Sequence, residues 1–269
     1  MIKTCPHPSG AVITFDEGPH LYGVEGEEVG VEGGAGGDGR GWKKSRFISG
    51  TTFIKNFFPE FDRERISLRY AEKHDRSQTE VLKEWDEKGK VGRENGTEVH
   101  NFMEQLFLGK KPKLMNGKGE EGPTDNPRVR AMQIIGINAF KEVKDRYKLV
   151  EAEQIFASLK HDICGMADLI GINKETGCSA IIDWKTNKKI DYSNQWQCGL
   201  GVLRHLDDCS FNKYAIQLNL YEYIAKTEGY MTDSFGEIEK VLVHITDSSY
   251  LLIQVPDMQK EIRLMVEGV

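Results

Sequence analysis

One run of residues, Gly165 to Lys185 (GMADLIGINKETGCSAIIDWK), restricts what this chain can become more than any other stretch. Two apolar segments, Met166 to Ile172 and Ser179 to Ile182, flank the polar stretch Asn173-Lys174-Glu175-Thr176-Gly177. Apolar runs this short, around a polar stretch ending in glycine, predict two strands of a β-hairpin. The first strand carries Asp168 among apolar neighbours, and the second ends in Asp183-Trp184-Lys185. Side chains alternate faces along a strand, so Asp183 and Lys185 point the same way. A carboxylate inside an apolar strand is costly to bury unless it is paired or binds a metal. Two such acids on neighbouring strands, with a lysine beside the second, suit a divalent cation between the carboxylates and an ammonium facing the reacting group. Taken singly, the same residues read as strand-end acids with Lys185 as an ion-pair partner. As a trio they favour the metal site.

Size and charge narrow the class of protein. At 269 residues the chain can bury a substantial core, as one large domain or a domain with a smaller lobe. No apolar run approaches membrane-spanning length, so no membrane partner is expected. Met1 to Gly18 lacks the apolar core of a secretory signal, and Asp16 and Glu17 argue against a transit peptide. The expected location is therefore the compartment of synthesis, the cytoplasm. Five cysteines without a C-x-x-C pair disfavour a zinc site or a disulfide framework and fit a reducing compartment. A formal net charge of −6 argues mildly against an extended electrostatic footprint for nucleic acid. It leaves such a partner open, because clustered active-site acids inflate the negative count and bound metal offsets them. Three basic runs (Lys43-Lys44-Ser45-Arg46, Lys110-Lys111-Pro112-Lys113 and Lys185-Thr186-Asn187-Lys188-Lys189) each read, alone, as a solvated face.

Along the chain, residues 11–22 predict a short hairpin, and the glycines and acids from Gly23 to Gly41 predict a flexible loop. Ser49 to Phe58 supplies Ser/Thr caps before an apolar stripe, a helix start. Residues 62–88 have a helical pattern with Ile66, Tyr70, Val81, Leu82 and Trp85 facing inward. Gly96 to Leu108 (GTEVHNFMEQLFL) predicts a further helix whose apolar face is Val99, Phe102, Met103, Leu106 and Phe107. His100 and Glu104 stand i,i+4 on its polar side. A Gly-, Pro- and Lys-rich loop over 109–126 precedes a helix from Pro127 to about Tyr147. Leu149 to Ala157 is a predicted strand carrying Glu153. A long irregular connection, 191–213, leads to a helix over Tyr214 to Thr227, with Gln217 and Tyr221 on one face. Two closing strands, 238–246 and 250–255, precede an amphipathic stretch from Met258.

In chain order the polar residues are His100 on a helix, Glu153, Asp168, and Asp183 with Lys185 on three strands, then Gln217 and Tyr221 on a helix. This order, in the segments GTEVHNFME, AEQIF, GMADLIGI, IIDWKTNK and YAIQLNLYEY, resembles the PD-(D/E)XK nuclease superfamily. Within it the likeness is to the RecB-like branch, specifically to mitochondrial genome maintenance exonucleases and related phage and large-virus nucleases. Glu153 to Asp168 and Asp168 to Asp183 each span fifteen residues (168−153 and 183−168), compatible with adjacent strands. The resemblance covers roughly residues 47–256. It implies an α/β fold, with a central mixed β-sheet flanked by helices (a restriction-endonuclease-like core) and a helical N-terminal region. The segments would be an N-terminal hairpin with its Gly-rich loop (1–46), a helical region carrying the histidine (47–148) and the nuclease core (149–269).

The resemblance also implies roles. Asp168 and Asp183 would ligate Mg²⁺ or Mn²⁺, with the Asp183–Trp184 carbonyl region completing an oxygen shell, Glu153 as the third acid, and His100 joining or bordering a metal. Lys185 would orient and help deprotonate the attacking water or stabilise charge on the phosphate. Gln217 and Tyr221 match a Q-x-x-x-Y element expected to touch the DNA backbone or hold the lysine, and Thr186 and Lys188 would add substrate contacts. The expected activity is metal-dependent exonucleolytic hydrolysis of DNA, single-stranded or at free ends, in replication, recombination or repair. The alternatives are a structure-specific endonuclease with the same centre, or a non-catalytic nucleic-acid-binding protein on a nuclease fold. The RecB-like members that carry an iron–sulfur cluster use one cysteine upstream and a group near the C-terminus; here no cysteine follows Cys209, so the resemblance implies no iron–sulfur cluster. No P-loop motif is present, so unwinding would come from a helicase or recombination partner. The connection before the Gln217 helix (HLDDCSFNKYAIQLNLY) resembles the phage and viral members, which points to such an origin.

Overall fold

A computed structural model of the chain describes residues 2–16, 21–26, 46–110, 125–231 and 237–268. Most of the expected Gly-rich loop, most of the loop after residue 109, and the larger part of two of the basic runs lie outside these residues. The described residues form two sheets. β1 (Ile2–Pro6), β2 (Val12–Asp16) and β3 (Leu21–Val24) pair antiparallel in a small N-terminal sheet. The expected hairpin is its β2–β3 pair, and β1 is an addition.

The main sheet contains β4 (Ile48–Ser49), β5 (Tyr147–Ser158), β6 (Ile163–Asn173), β7 (Ser179–Lys185), β8 (Glu239–Ile245) and β9 (Tyr250–Gln254). Its order is β4-β6-β7-β8-β9, with β5 along the opposite edge of β6. β4–β6 and β7–β8 are parallel and the other pairs antiparallel, so the sheet is mixed. A parallel pair needs a crossover, and between β7 and β8 the chain makes α5 (Ser210–Thr227).

Helices cover both faces. α1 (Gly50–Lys55), α5 and α6 (Gln259–Glu267) share a cluster with Ile170, Ile181 and Leu242. On the other face α3 (Gln78–Phe107) and α4 (Pro127–Arg146) bury Val99, Phe102 and Met132 against Leu169, Ile182 and Val241. Two covered faces explain why Ala180 to Trp184 is buried without alternation. The chain is thus an α/β protein with a helical region ahead of the main strands. Among the described residues, no helix is long and apolar enough to cross a membrane.

Local chemistry accounts for the helix starts. Ser49 caps α1, its hydroxyl accepting from the Thr52 N–H at 3.2 Å. Asn126 caps α4, accepting from the Arg128 N–H at 3.1 Å, with Pro127 in the first turn. Two expectations need correction. The helix expected to start at Gly96 is instead the second half of α3, a continuous thirty-residue helix through Gly89, Gly92 and Gly96. Packing of Val81, Val99, Phe102 and Met103 outweighs the helix penalty of the glycines. Tyr70 does not face inward: α2 (Arg63–Lys73) packs chiefly on α3, and Tyr70 is left 40% exposed beside the His74 ring.

The N-terminal sheet does not stand apart. Ile13, Phe15 and Tyr22 share an apolar cluster with Phe47, Ile155, Ala157 and Cys164. That contact lays β1 along β5 and brings Lys3 to Glu153.

Candidate active site

The β6–β7 ladder runs from Ile172↔Ser179 to Leu169↔Ile182 and closes there. Continued one step, the register would set Asp168 opposite Asp183, on one face of the antiparallel pair. At this point the strands part: the Trp184 N–H donates instead to Asp168 Oδ2 at 2.7 Å. Asp168 and Asp183 therefore line an opening at the sheet's rim, with side chains 10% and 4% exposed.

Helices from both layers reach this opening. From α3, His100 Nδ1 lies 3.1 Å from Asp168 Oδ1. From the other face, Gln217 of α5 accepts a hydrogen bond from Lys185 Nζ through Oε1 at 3.2 Å. Its Nε2 donates to Tyr221 Oη at 2.8 Å. Lys185 Nζ also sits 2.6 Å from Asp183 Oδ2 and 4.6 Å from the centroid of the Tyr214 ring. The ammonium is thus fixed by a carboxylate, an amide and an aromatic face. The Tyr221 ring in turn rests on Gly165, where an added Cβ would lie 2.3 Å from Cε1. The glycine that opens the GMAD segment is there because nothing larger fits.

Charge is distributed unevenly among these groups. For Asp168, burial raises the pKa, but His100, Lys185 and the Trp184 N–H together outweigh it and hold the carboxyl below its ordinary value. For Asp183, burial dominates and the Asp168 charge adds to it, so its pKa is raised despite Lys185. For Lys185, burial favours loss of the proton, yet the two aspartates prevail and keep it an ammonium. For His100, burial lowers the pKa, but the charge and hydrogen bond of Asp168, with Asp183 behind, raise it to about 9. Two buried acids share one lysine, and Asp183 carries the shortage of positive charge.

Glu153 stands between the paired positions Ala152↔Leu169 and Gln154↔Ala167, opposite Asp168. Its φ is +54°, a left-handed conformation that a non-glycine residue adopts at a cost. Its Oε2 is 3.2 Å from Lys3 Nζ, which is also 3.8 Å from Glu104. Burial, then the Asp168 charge, raises the Glu153 pKa, with Lys3 opposing.

The site therefore brings together Asp168, Asp183, Lys185, His100 and Gln217. Tyr221 is 3% exposed and holds Gln217, so its expected contact with substrate is closed and its place is behind the lysine. The Trp184 indole is core and its N–H orients Asp168. Thr186 and Lys188 line an adjoining cleft, with the Thr186 hydroxyl close against Gly96 of α3. Sequence reasoning missed Tyr214 and Lys3 as site residues: no motif marks Tyr214, and Lys3 lies 150 residues from its partner.

These residues fit a hard divalent cation. The donors are carboxylate oxygens, suited to Mg²⁺ or Mn²⁺. Asp183 Oδ2 is buried beside Lys185 Nζ at 2.6 Å, and beyond that ion pair no hydrogen-bond donor among the described residues reaches it. Among the described residues no three His, Cys, Asp or Glu side chains are grouped as a metal cage. Two carboxylates with the remaining positions left to water and phosphate is nonetheless the usual arrangement for Mg²⁺.

No family model matches the chain, and no curated protein matches it. A solved structure titled "Crystal structure of SSO0001" is 16% identical, over 84% of this chain and 76% of its own, with a TM-score of 0.32. A likeness of that size carries no argument about fold or function.

Proposed function

We propose that this protein is a metal-dependent deoxyribonuclease that hydrolyses phosphodiester bonds as an exonuclease, on single-stranded DNA or free DNA ends. The observation that carries the reading is the parting of β6 and β7 at Asp168 and Asp183, with Lys185 fixed by Gln217 at the same point. A buried pair of acids with an anchored ammonium beside it is expensive to maintain, and acid–ammonium–metal chemistry gives it a use. Asp168 and Asp183 would hold the cation, with Glu153 nearby. Bound there, Mg²⁺ or Mn²⁺ would offset phosphate charge and lower the pKa of a water. Lys185 places a positive charge for the phosphate oxygens and, as an ammonium, acts by orientation and charge. His100 and the Trp184 N–H hold Asp168 in one rotamer, and Gln217 keeps Lys185 from folding wholly onto Asp183. The same chemistry in a replication, recombination or repair setting would draw on a helicase or recombination partner for unwinding.

The test is hydrolysis of end-labelled linear single-stranded DNA beside a closed circle, with Mg²⁺ or with EDTA. The linear substrate is lost only with metal, the circle survives, and Asp183→Ala and Lys185→Ala are inactive. Rapid cutting of the circle would replace the exonuclease with an endonuclease. Equal activity in EDTA would refute the metal mechanism.

A further inference from the structure

Two ammonium groups reach the cluster of acids at the sheet's rim. Lys185 lies beside Asp183, and Lys3 Nζ lies 3.2 Å from Glu153 Oε2 and 3.8 Å from Glu104 Oε1. We propose that Lys3 is a positioning residue that stands where a second divalent cation would otherwise bind, so that the chain itself neutralises Glu153 and Glu104 and the centre takes one metal ion. The inference rests on the metal-dependent reading above and adds the number of ions.

Placement is the first argument. Lys3, Cys5 and His7 are two apart, so on an extended strand they point the same way. Lys3 Nζ meets Glu153, Cys5 Sγ lies 3.6 Å from the Ile155 carbonyl oxygen, and His7 Nε2 lies 3.2 Å from that of Ala157. Each partner is 150 residues further along the chain. The N-terminal segment therefore runs beside β5 in step with it and in the same direction. Ile13 and Phe15, on the neighbouring strand β2, pack with Ile155 and Ala157 and hold the two segments together. Lys3 is delivered to Glu153 by strand placement, not by the reach of a loose surface side chain.

Charge is the second. Glu153 stands opposite Asp168 across the β5–β6 ladder, and Glu104 is one turn along α3 from His100, which meets Asp168. The Glu153 side chain is 17% exposed. Burial raises its pKa, the charges of Asp168 and Glu104 add to the rise, and Lys3 opposes it. The residue is also held at a φ of +54°, a strain that tends to persist where it serves a task. Carboxylates gathered in this way call for a cation. An ammonium supplies one positive charge and repels Mg²⁺ or Mn²⁺ from the same place. Among the described residues no three His, Cys, Asp or Glu side chains are gathered to hold a metal. That is the arrangement expected when a lysine meets both Glu153 and Glu104.

The test counts ions on the metal-free, full-length protein without DNA. Bound Mn²⁺ is read from the loss of the free ion's electron paramagnetic resonance signal. The wild type takes one ion. Lys3→Met and Lys3→Gln each take a second, weaker one, because two carboxylates have lost their counter-charge. Both substitutions leave the apolar cluster of the N-terminal sheet untouched, and thermal melting checks that each variant is folded. Lys3→Arg keeps the charge and takes one ion. Adding Glu153→Gln to Lys3→Met returns the count to one, which places the extra ion on Glu153. A lysine that merely pinned the strand would alter Tm without altering the count. If the wild type already takes two ions, or if the folded Lys3→Met and Lys3→Gln proteins still take one, the inference is refuted and the metal-dependent reading survives. If the wild type takes no ion and cleaves no DNA, both fail.

Discussion

Gly165→Ala tests the chain of contacts that anchors the lysine. The new methyl carbon would lie 2.3 Å from Tyr221 Cε1 and 2.9 Å from both Cζ and Oη. Carbon atoms pack best at about 3.5–4.0 Å, so ring and strand must separate by about 1 Å or more. The ring has little room to retreat, being 3% exposed with Gly50 of α1 also close to it. Overpacking of this kind costs about 1–3 kcal/mol. For a chain of this size that is a fall in Tm of roughly 2–12 °C, readable by thermal unfolding. The functional loss is larger than the stability loss suggests. Tyr221 Oη accepts from Gln217, and Gln217 accepts from Lys185, so a shift at the ring displaces the ammonium. A misplacement of about 1 Å can cost about a hundredfold in rate, read as kcat on end-labelled single-stranded DNA. Adding Tyr221→Leu to Gly165→Ala restores part of the stability, because the two sites share one contact. It does not restore the rate, since Gln217 has lost its anchor. A Gly165→Ala protein with unchanged Tm and unchanged kcat would refute the reasoning.

Two further outcomes concern the scaffold. Glu222, on α5, is buried and bonds to buried Lys240 of β8, to Lys226 at 2.8 Å and to Gln259 at 3.1 Å. Glu222→Ala leaves the buried Lys240 charge with only Asp257, 3.9 Å away, among the acids of the described residues and costs about 3–5 kcal/mol by urea unfolding. Lys240→Met in the same background recovers most of that, and a single-mutant loss below about 1 kcal/mol would show the pair to be idle. At alkaline pH, burial first and then the Glu239 carboxylate, which accepts from the hydroxyl at 2.9 Å, push Tyr147 up to about 12. The folded state then binds this proton more tightly than the unfolded chain, whose tyrosines titrate near about 10. This stabilisation is complete below about pH 10 and is lost as pH rises toward 12. Tyr147→Phe removes its share of the decline, and an equally steep slope in that variant would count against the assignment.

Much of the architecture was readable from local signals. The hairpin at 165–185, the cap at Ser49 and the helix start at Pro127 each follow from interactions within a few residues, and they appear where the pattern put them. Local signals failed where packing overrode them. Gly96 reads as a helix boundary, but the layer of α3 on α4 and the sheet carries the helix straight through it. Nothing local marked β1 as the strand that would bring a lysine to Glu153.

The candidate site divides in the same way. The amino-acid order alone determined that two carboxylates would sit on neighbouring strands with a lysine two residues past the second, because strand period and the cost of burying charge are properties of short segments. Tertiary structure alone decided that the ladder opens at those carboxylates and that His100, 68 residues away, meets Asp168. It also decided that Gln217, 32 residues on, fixes Lys185. The physical reason is that register, layer packing and approach distance are set jointly by segments far apart in the chain, and no window of sequence contains them.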